Sequence, residues 1–397
     1  MAKSLLLLLA LLSGASAALA RTPHDTLVVA IPLDGIISFD PAESFETVSN
    51  GSLRNVYQTL VEADRQTPQK LAPLLADSWQ PGSTPHSLIV NLRPDARPQP
   101  LLKRVLLKNV SDAGARRLLI QQGDVDVAYQ LGADQVAALQ NAPGVRIATF
   151  PSSLIYYLGF NTKDAQQPVL GNPALWQAAR WLVDYDALAA QLLKGQYAVH
   201  QSILPNGFDG ALETTPFHYD LVKAKALLQQ GGIAPGTHFA LTVVNQPPYI
   251  DVAQALQASF AKADLHIDIQ PVAESELWSK MRGRNFQSIF IYWGADYIDP
   301  NTNASAFALN VPGGAKTLAW RTGWEIPQLS ASTRAAAGES DVAKRRALYT
   351  QLQTTVQQDS PFVVMLQGAQ QVALRQSLSH ARQGIGVSLL YFDEVSK

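Results

Sequence analysis

The 397-residue chain has no cysteine. That excludes disulfides, thiolate catalysis and a lipid-bearing cysteine at a cleavage site. Histidine is scarce: the seven present are scattered without the clustered spacing of zinc ligands, so no metal site is expected. Neither sign of charge prevails, with 31 basic against 32 acidic residues. A nucleic-acid partner, whose phosphates call for a basic surface, is therefore not expected. After the first residues no segment approaches the roughly 20 uninterrupted apolar residues that cross a bilayer, so the mature chain is not expected to be membrane-embedded. G-x-S-x-G, P-loop, G-x-G-x-x-G and H-E-x-x-H patterns are all missing, and with them the common signs of catalysis or a cofactor.

What is present begins at the N-terminus. Lys3 is the only charge before Arg21, an apolar block spans 5–12, and Ala18-Leu19-Ala20 fits the small-x-small rule for signal cleavage. A signal peptide over 1–20 is expected, removed on export to the periplasm of a Gram-negative type of cell. Its loss leaves 30 basic against 32 acidic residues. An exported chain without disulfides depends on its core, and at this length it can bury a large one.

The most informative stretch is 286–300, F-Q-S-I-F-I-Y-W-G-A-D-Y-I-D-P. Its apolar, β-branched and aromatic run ends at Gly294 and is followed by carboxylates, which predicts a buried strand delivering polar groups to the loop at its C-terminal end. In open α/β sheets ligands bind there. Trp293 and Tyr297 offer broad apolar faces, while Asp296 and Asp299 add negative charge, a combination suited to an organic cation or an amine on an apolar body. A bland alternative competes, since Trp and Tyr at a strand end are often only core or rim. Asp-x-x-Asp-Pro is also ordinary turn chemistry, and two carboxylates three apart in one loop do not form the opposed pair of a glycoside hydrolase.

Elsewhere the pattern alternates. A buried strand is expected over 26–32 and a helix over 49–62, with Leu53, Val56, Tyr57, Leu60 and Val61 on one face. A short strand over 87–93 leads into R-P-D-A-R-P-Q-P, an extended link, and then to a strand over 105–110. Helices over 112–123 and 132–140 flank a short strand, 124–128. Strands over 145–150 and 154–160 follow; Tyr156 and Tyr157 in the second point to opposite faces, so at most one lines a cleft. Beyond come helices over 172–182, 185–193, 220–231, 250–264, 275–284 and 342–359. Strands over 239–245, 266–272 and 362–366 are interleaved with them, and 384–392 is extended. This order requires a sheet with crossover helices, an α/β fold.

Taken together these pieces resemble the solute-binding proteins of family 5, the peptide- and nickel-binding subunits of ABC importers. The likeness is carried by T-L-V-V-A-I-P with F-D-P-A, N-V-Y-Q-T-L-V-E, L-A-P-L-L-A-D-S-W, D-A-G-A-R-R-L-L-I-Q-Q-G-D-V-D, Y-Y-L-G-F-N-T, K-A-K-A-L-L, W-G-A-D-Y-I-D-P and S-P-F-V-V, in the family's order. The resemblance implies a two-lobed, type II periplasmic-binding-protein-like fold with crossover hinge strands. Residues 21–165 with 373–397 would form one lobe and 166–372 the other. It implies a monomer that encloses a small molecule or short peptide and delivers it to ABC permease subunits, with no chemistry and no cofactor. By the family's pattern Asp296 would pair with the ligand ammonium, Trp293 would line a side-chain pocket with Tyr297 beside it, and the backbone around Asn161 and Tyr157 would bond the ligand main chain. Arg282, Arg284 and Arg321 are candidates for a ligand carboxylate. A nickel or metal-chelate binder, an opine-type binder and an exported hydrolase are the alternatives.

One departure stands out. Family members follow the 87–93 strand with a glycine-rich turn and a further small α/β subdomain, which 94–100 replaces here. A compact member and an internal deletion both fit.

Overall fold

The computed structural model describes residues 22–44, 46–68, 70–83, 87–94, 101–386 and 388–397. The expected signal peptide and most of the proline-rich link lie outside the described residues.

β1 (Thr26–Ile31) is buried along its whole length, as an unbroken apolar run requires. It leads to α1 (Thr47–Val56) and then to two small antiparallel pairs, β2 (Val61–Ala63) with β3 (Leu71–Pro73) and β4 (Ala76–Pro81) with β5 (Leu88–Leu92). The helix expected over 49–62 stops early. Val56, Tyr57 and Leu60 are 77 %, 55 % and 48 % exposed, so no packing surface holds another turn together, and the chain turns extended at Tyr57. β6 (Arg104–Asn109) then pairs parallel with β1. α2 (Ala113–Gln122) starts at Asp112, whose carboxylate accepts from the amide of Ala115, and stops at Gly123 in the left-handed conformation. β7 (Val127–Ala128) and α3 (Ala133–Leu139) complete this half.

β8 (Val145–Phe160) is one strand of 16 residues where the sequence predicts two. Pro151 suggests a break, yet it sits where β8 and a later strand slip register, a position that needs no amide donor. Next come α4 (Pro173–Leu182), β9 (Tyr197–Val199), α5 (Leu221–Gln230) and β10 (Thr237–Val244). They lead to α6 (Tyr249–Ala261), β11 (Leu265–Val272), α7 (Glu274–Arg282) and β12 (Ser288–Trp293). α8 (Pro300–Ala308), α9 (Leu318–Arg321), α10 (Pro327–Gly338) and α11 (Val342–Asp359) precede β13 (Phe362–Arg375), which continues well past the expected end at 366.

The main sheet runs β11-β10-β12-β8-β13-β7-β1-β6, with β9 added on β13. One large core draws on residues from Ile155 to Leu366. Two smaller cores draw on β1, β7 and α2 together with Val372 to Val395. β8 and β13 pass through both regions as antiparallel partners, so they are the crossover strands of a two-lobed molecule. Their ladder breaks midway: between the pairs Gln367↔Ile155 and Ala369↔Pro151, residues 152–154 of β8 face Gly368 alone. At the far end the Lys397 side chain is buried, its ammonium 2.8 Å from the Asp126 carboxylate and 2.7 Å from the carbonyl of Thr26, which ties this residue to β1.

His200 shows how a core sets pH sensitivity. It is 1 % exposed, its Nε2 lies 2.7 Å from the carbonyl of Leu204, and burial lowers its pKa from 6.5 to about 4. The unfolded chain binds a proton there below pH 6.5 that the folded chain refuses until about pH 4, so stability is full above 6.5 and falls between the two values. Urea titrations at pH 7 and pH 5 are expected to differ by about 2 kcal/mol from this group, a difference that His200→Gln removes.

Candidate functional site

The loop after β12 forms where an apolar strand reaches the boundary between the cores. Gly294 fits closely there: a Cβ would come within 2.9 Å of the end of the Leu154 side chain, which would have to shift, and 4.0 Å of the Thr47 hydroxyl. Without one, the W-G-A-D segment packs flat against the β8 bulge and α1. Ala295 donates its amide to the Ser153 hydroxyl at 3.2 Å, and Ser153 donates its own amide to the carbonyl of Ile385 at 2.8 Å.

Around this loop lies a cavity of about 840 Å³, counting its open mouth. One wall comes from α1 and the C-terminal segment, another from α7, α9 and the β12 loop, and the β8 bulge with Gln370 forms the base. A second cavity of about 900 Å³ shares Thr47, Ser152, Leu154, Tyr292, Gln370 and Ser388 with it. The two are halves of one cleft between the lobes.

Of the residues expected in a site, Asp296 and Trp293 line this cleft. Asp296 lines the cavity but is itself exposed, and its carboxylate has no hydrogen-bond partner among the described residues. Burial by the surrounding protein raises its pKa, and the charge of Arg54 opposes that. Its backbone is held: the amide donates to the Thr302 hydroxyl at 3.1 Å and the carbonyl accepts from Arg54 Nη2 at 2.7 Å, a bond from α1 across the cleft. Trp293 has a buried indole N–H without a partner among the described residues.

The other three stand elsewhere. Tyr157 is 1 % exposed and packs edge-on against Phe307 and Phe362, at 5.3 and 5.6 Å. Its backbone is already paired with Ile291 on one side and Val364 on the other. The alternation along β8 puts Tyr156 in the cleft instead. Asn161 braces the turn before β12: its side chain donates to the carbonyls of Arg284 and Phe286, and its amide to that of Gln287. Its amide and side chain are thus engaged within the turn. Tyr297 is 49 % exposed, outside the cleft wall, its phenol accepting from Asn301 Nδ2 at 3.0 Å.

Asp299 has the bland role. Its carboxylate caps α8 by accepting from the amide of Asn301 at 2.8 Å and pairs with Arg345 Nη2 at 2.7 Å. Asp299→Ala is expected to destabilise the fold by about 1–2 kcal/mol in urea titrations while leaving ligand affinity unchanged.

Among the arginines, Arg282 and Arg321 line the cleft, whereas Arg284 lies over the Trp320 ring at 3.6 Å, away from it. Arg321 pairs with no carboxylate among the described residues; its Nε donates to the carbonyl of Lys316 at 2.9 Å. Burial lowers its pKa, and the neighbouring Arg282 adds to the effect. Two further groups belong to the site. Arg54 reaches Asp296 from α1. Glu46, 4 % exposed, pairs through one oxygen with Arg282, while its other carboxylate oxygen has no partner among the described residues. No local pattern marks either one, since each acquires its role from residues more than 200 positions away.

Residues 75–314 match the bacterial extracellular solute-binding proteins, family 5 (middle). The chain belongs to this family. A probable D,D-dipeptide-binding periplasmic protein of Escherichia coli K12 is 26 % identical over 312 residues, covering 77 % of this chain and 58 % of that one. The chain spans about half the length of the curated relatives it matches. Among solved structures, a periplasmic binding protein of Helicobacter pylori in complex with the peptide STSA superposes with a TM-score of 0.81 at 18 % identity, covering 94 % of this chain and 98 % of that one. A dipeptide-binding protein of a Pseudoalteromonas species in complex with Met-Leu gives 0.81 at 14 % identity, with 94 % and 100 % covered. The fold is thus the type II binding-protein fold of family 5. No helix among the described residues is long and apolar enough to cross a membrane.

Proposed function

We propose that this chain is the periplasmic binding subunit of an ABC importer, enclosing a short peptide or similar amine-bearing solute between its lobes and presenting it to the permease. The observation that carries the proposal is Asp296, which lines the cleft next to Trp293 with a carboxylate that has no partner among the described residues. An ammonium placed there gains a charge partner as the closing lobes expel water, and unpaired it would cost several kcal/mol. Arg321, cationic and without a carboxylate, suits the other end of a zwitterion.

We assign residues 21–165 with 373–397 to one lobe, 166–372 to the other and 1–20 to a cleaved signal. A ligand touching Asp296 and Arg321 on one side and α1 on the other favours the closed arrangement by its contacts to both.

Native mass spectrometry of protein purified from the periplasm tests the proposal. The expected result is a bound species that denaturation releases as a small amine-bearing molecule. Protein that carries no such molecule and gives no heat with any dipeptide in calorimetry would overturn it. A second reading, an opine-type solute with an additional carboxylate, is favoured by Arg54, Arg282 and Arg321 outnumbering Glu46 and Asp296 in the wall. The released mass decides between the two.

A further inference from the structure

The two halves of the cleft differ in chemistry. The charged side chains that line the cleft, Glu46, Arg54, Arg282, Asp296 and Arg321, all belong to the first half, whereas the wall of the second holds no Asp, Glu, Lys, Arg or His. It is built instead from phenols, amides and aliphatic groups, of which Tyr156, Tyr197, Tyr249, Gln196, Gln371 and Pro248 matter most.

The phenols are arranged as walls. Tyr156 and Tyr197 meet edge to face at 4.9 Å and 82°, and Tyr249 stands 6.1 Å from Tyr156. The three rings therefore line the space as one cluster. The rings come this close to β13 because position 368 is glycine: a Cβ there would lie 3.2 Å from Tyr156 and 3.3 Å from Tyr197. Burial holds all three phenols in their neutral form. Gln196 Nε2 donates to Gln371 Oε1 at 2.9 Å, which fixes the Gln371 amide and leaves its N–H₂ without a partner among the described residues. Glu274 stands behind Tyr292, takes hydrogen bonds from that phenol and from Trp278, and is not part of the wall.

We infer that this half is a subsite for an uncharged aromatic or amide-bearing side chain and that it excludes charged ones. The identity of its occupant as a ligand side chain rests on the peptide proposal above. The physical basis is desolvation. A buried ammonium or carboxylate in this space meets no counter-charge in the wall, which costs several kcal/mol, while an aromatic ring gains both apolar burial and edge contacts. Gln371 can donate to a side-chain amide or phenol. The ligand termini keep their partners in the other half, so the subsite governs which side chain is accepted.

Calorimetry with dipeptides of common N-terminal residue separates the terms, because Ala-Phe, Ala-Gln, Ala-Lys and Ala-Glu present identical termini. Ala-Phe is expected to bind at least about 30-fold more tightly than Ala-Lys or Ala-Glu, with Ala-Gln between them. Gln371→Glu keeps the acceptor for Gln196 and adds a charge; it should shrink the Ala-Phe preference over Ala-Lys by about tenfold. Ala-Lys or Ala-Glu binding the unmodified protein within about threefold of Ala-Phe would overturn the inference. If no dipeptide binds, the peptide proposal fails, and single-ring probes decide the subsite on its own. In ligand-observed NMR, benzamide should then show saturation transfer where benzylamine and benzoate show none, and benzylamine should gain it with Gln371→Glu. Charged probes binding as well as benzamide, or benzamide failing to bind, would refute the subsite.

Discussion

Arg180→Met is expected to lower the unfolding free energy by about 3 kcal/mol or more, read as a shift of the urea midpoint at unchanged slope. The guanidinium is 1 % exposed and meets no carboxylate among its hydrogen-bond partners. It donates instead to four carbonyls, those of Gln357 at 2.9 Å, Trp176 at 2.8 Å, Ser360 at 2.7 Å and Phe362 at 3.1 Å. These join α4 to the end of α11 and the start of β13. Removing the cation relieves its desolvation, which lowers its pKa to about 10, but leaves several buried acceptors empty. Each empty acceptor costs about 1–3 kcal/mol, so the loss exceeds the relief. A change below about 0.5 kcal/mol would mean that water or a repacked side chain satisfies those carbonyls.

Asp296→Asn is expected to weaken dipeptide binding by about 2–5 kcal/mol, the range for removing one partner of a desolvated charge pair. The substitution keeps shape and leaves the two backbone bonds that fix the loop, so unfolding should be little affected. Stability and affinity therefore separate, in the reverse sense to Asp299→Ala. An unchanged calorimetric affinity would take Asp296 out of the binding contacts and send the search for the ammonium partner to Glu46, whose second oxygen is also free of described partners. An N-acetylated dipeptide provides the complement: it should lose affinity for the unmodified protein and lose little more with Asp296→Asn.

The parts legible in the sequence are those decided locally. Asp112, Asn172, Asp220 and Asp341 cap helices where the pattern places helix starts, because the cap and its amide lie within three residues of each other. The strand at 286–294 and its polar loop follow in the same way from a run and a glycine. Phase is harder. Period two says that Tyr156 and Tyr157 diverge, but which one meets the cleft depends on where β12 and β13 lie. Family likeness pointed to the backbone at Tyr157 and Asn161, which strand pairing and turn bonds already occupy. The unbroken course of β8 could not be seen either, since Pro151 looks like a terminator until the slipped register of β13 is known. Glu46, at the N-cap of α1, and Arg54, in its last turn, meet Arg282 and Asp296 only after folding.

The mismatch of three residues against one at Gly368 has a mechanical consequence. A continuous antiparallel ladder resists bending across its strands, whereas a gap in that ladder works as a flexure, concentrating compliance in a few dihedral angles. Torque between the halves of the molecule would be taken up at 152–154 and 367–369, beside the cleft, without unzipping the paired segments on either side. Whatever fills the cleft therefore lies against the interrupted part of the ladder that joins the two halves.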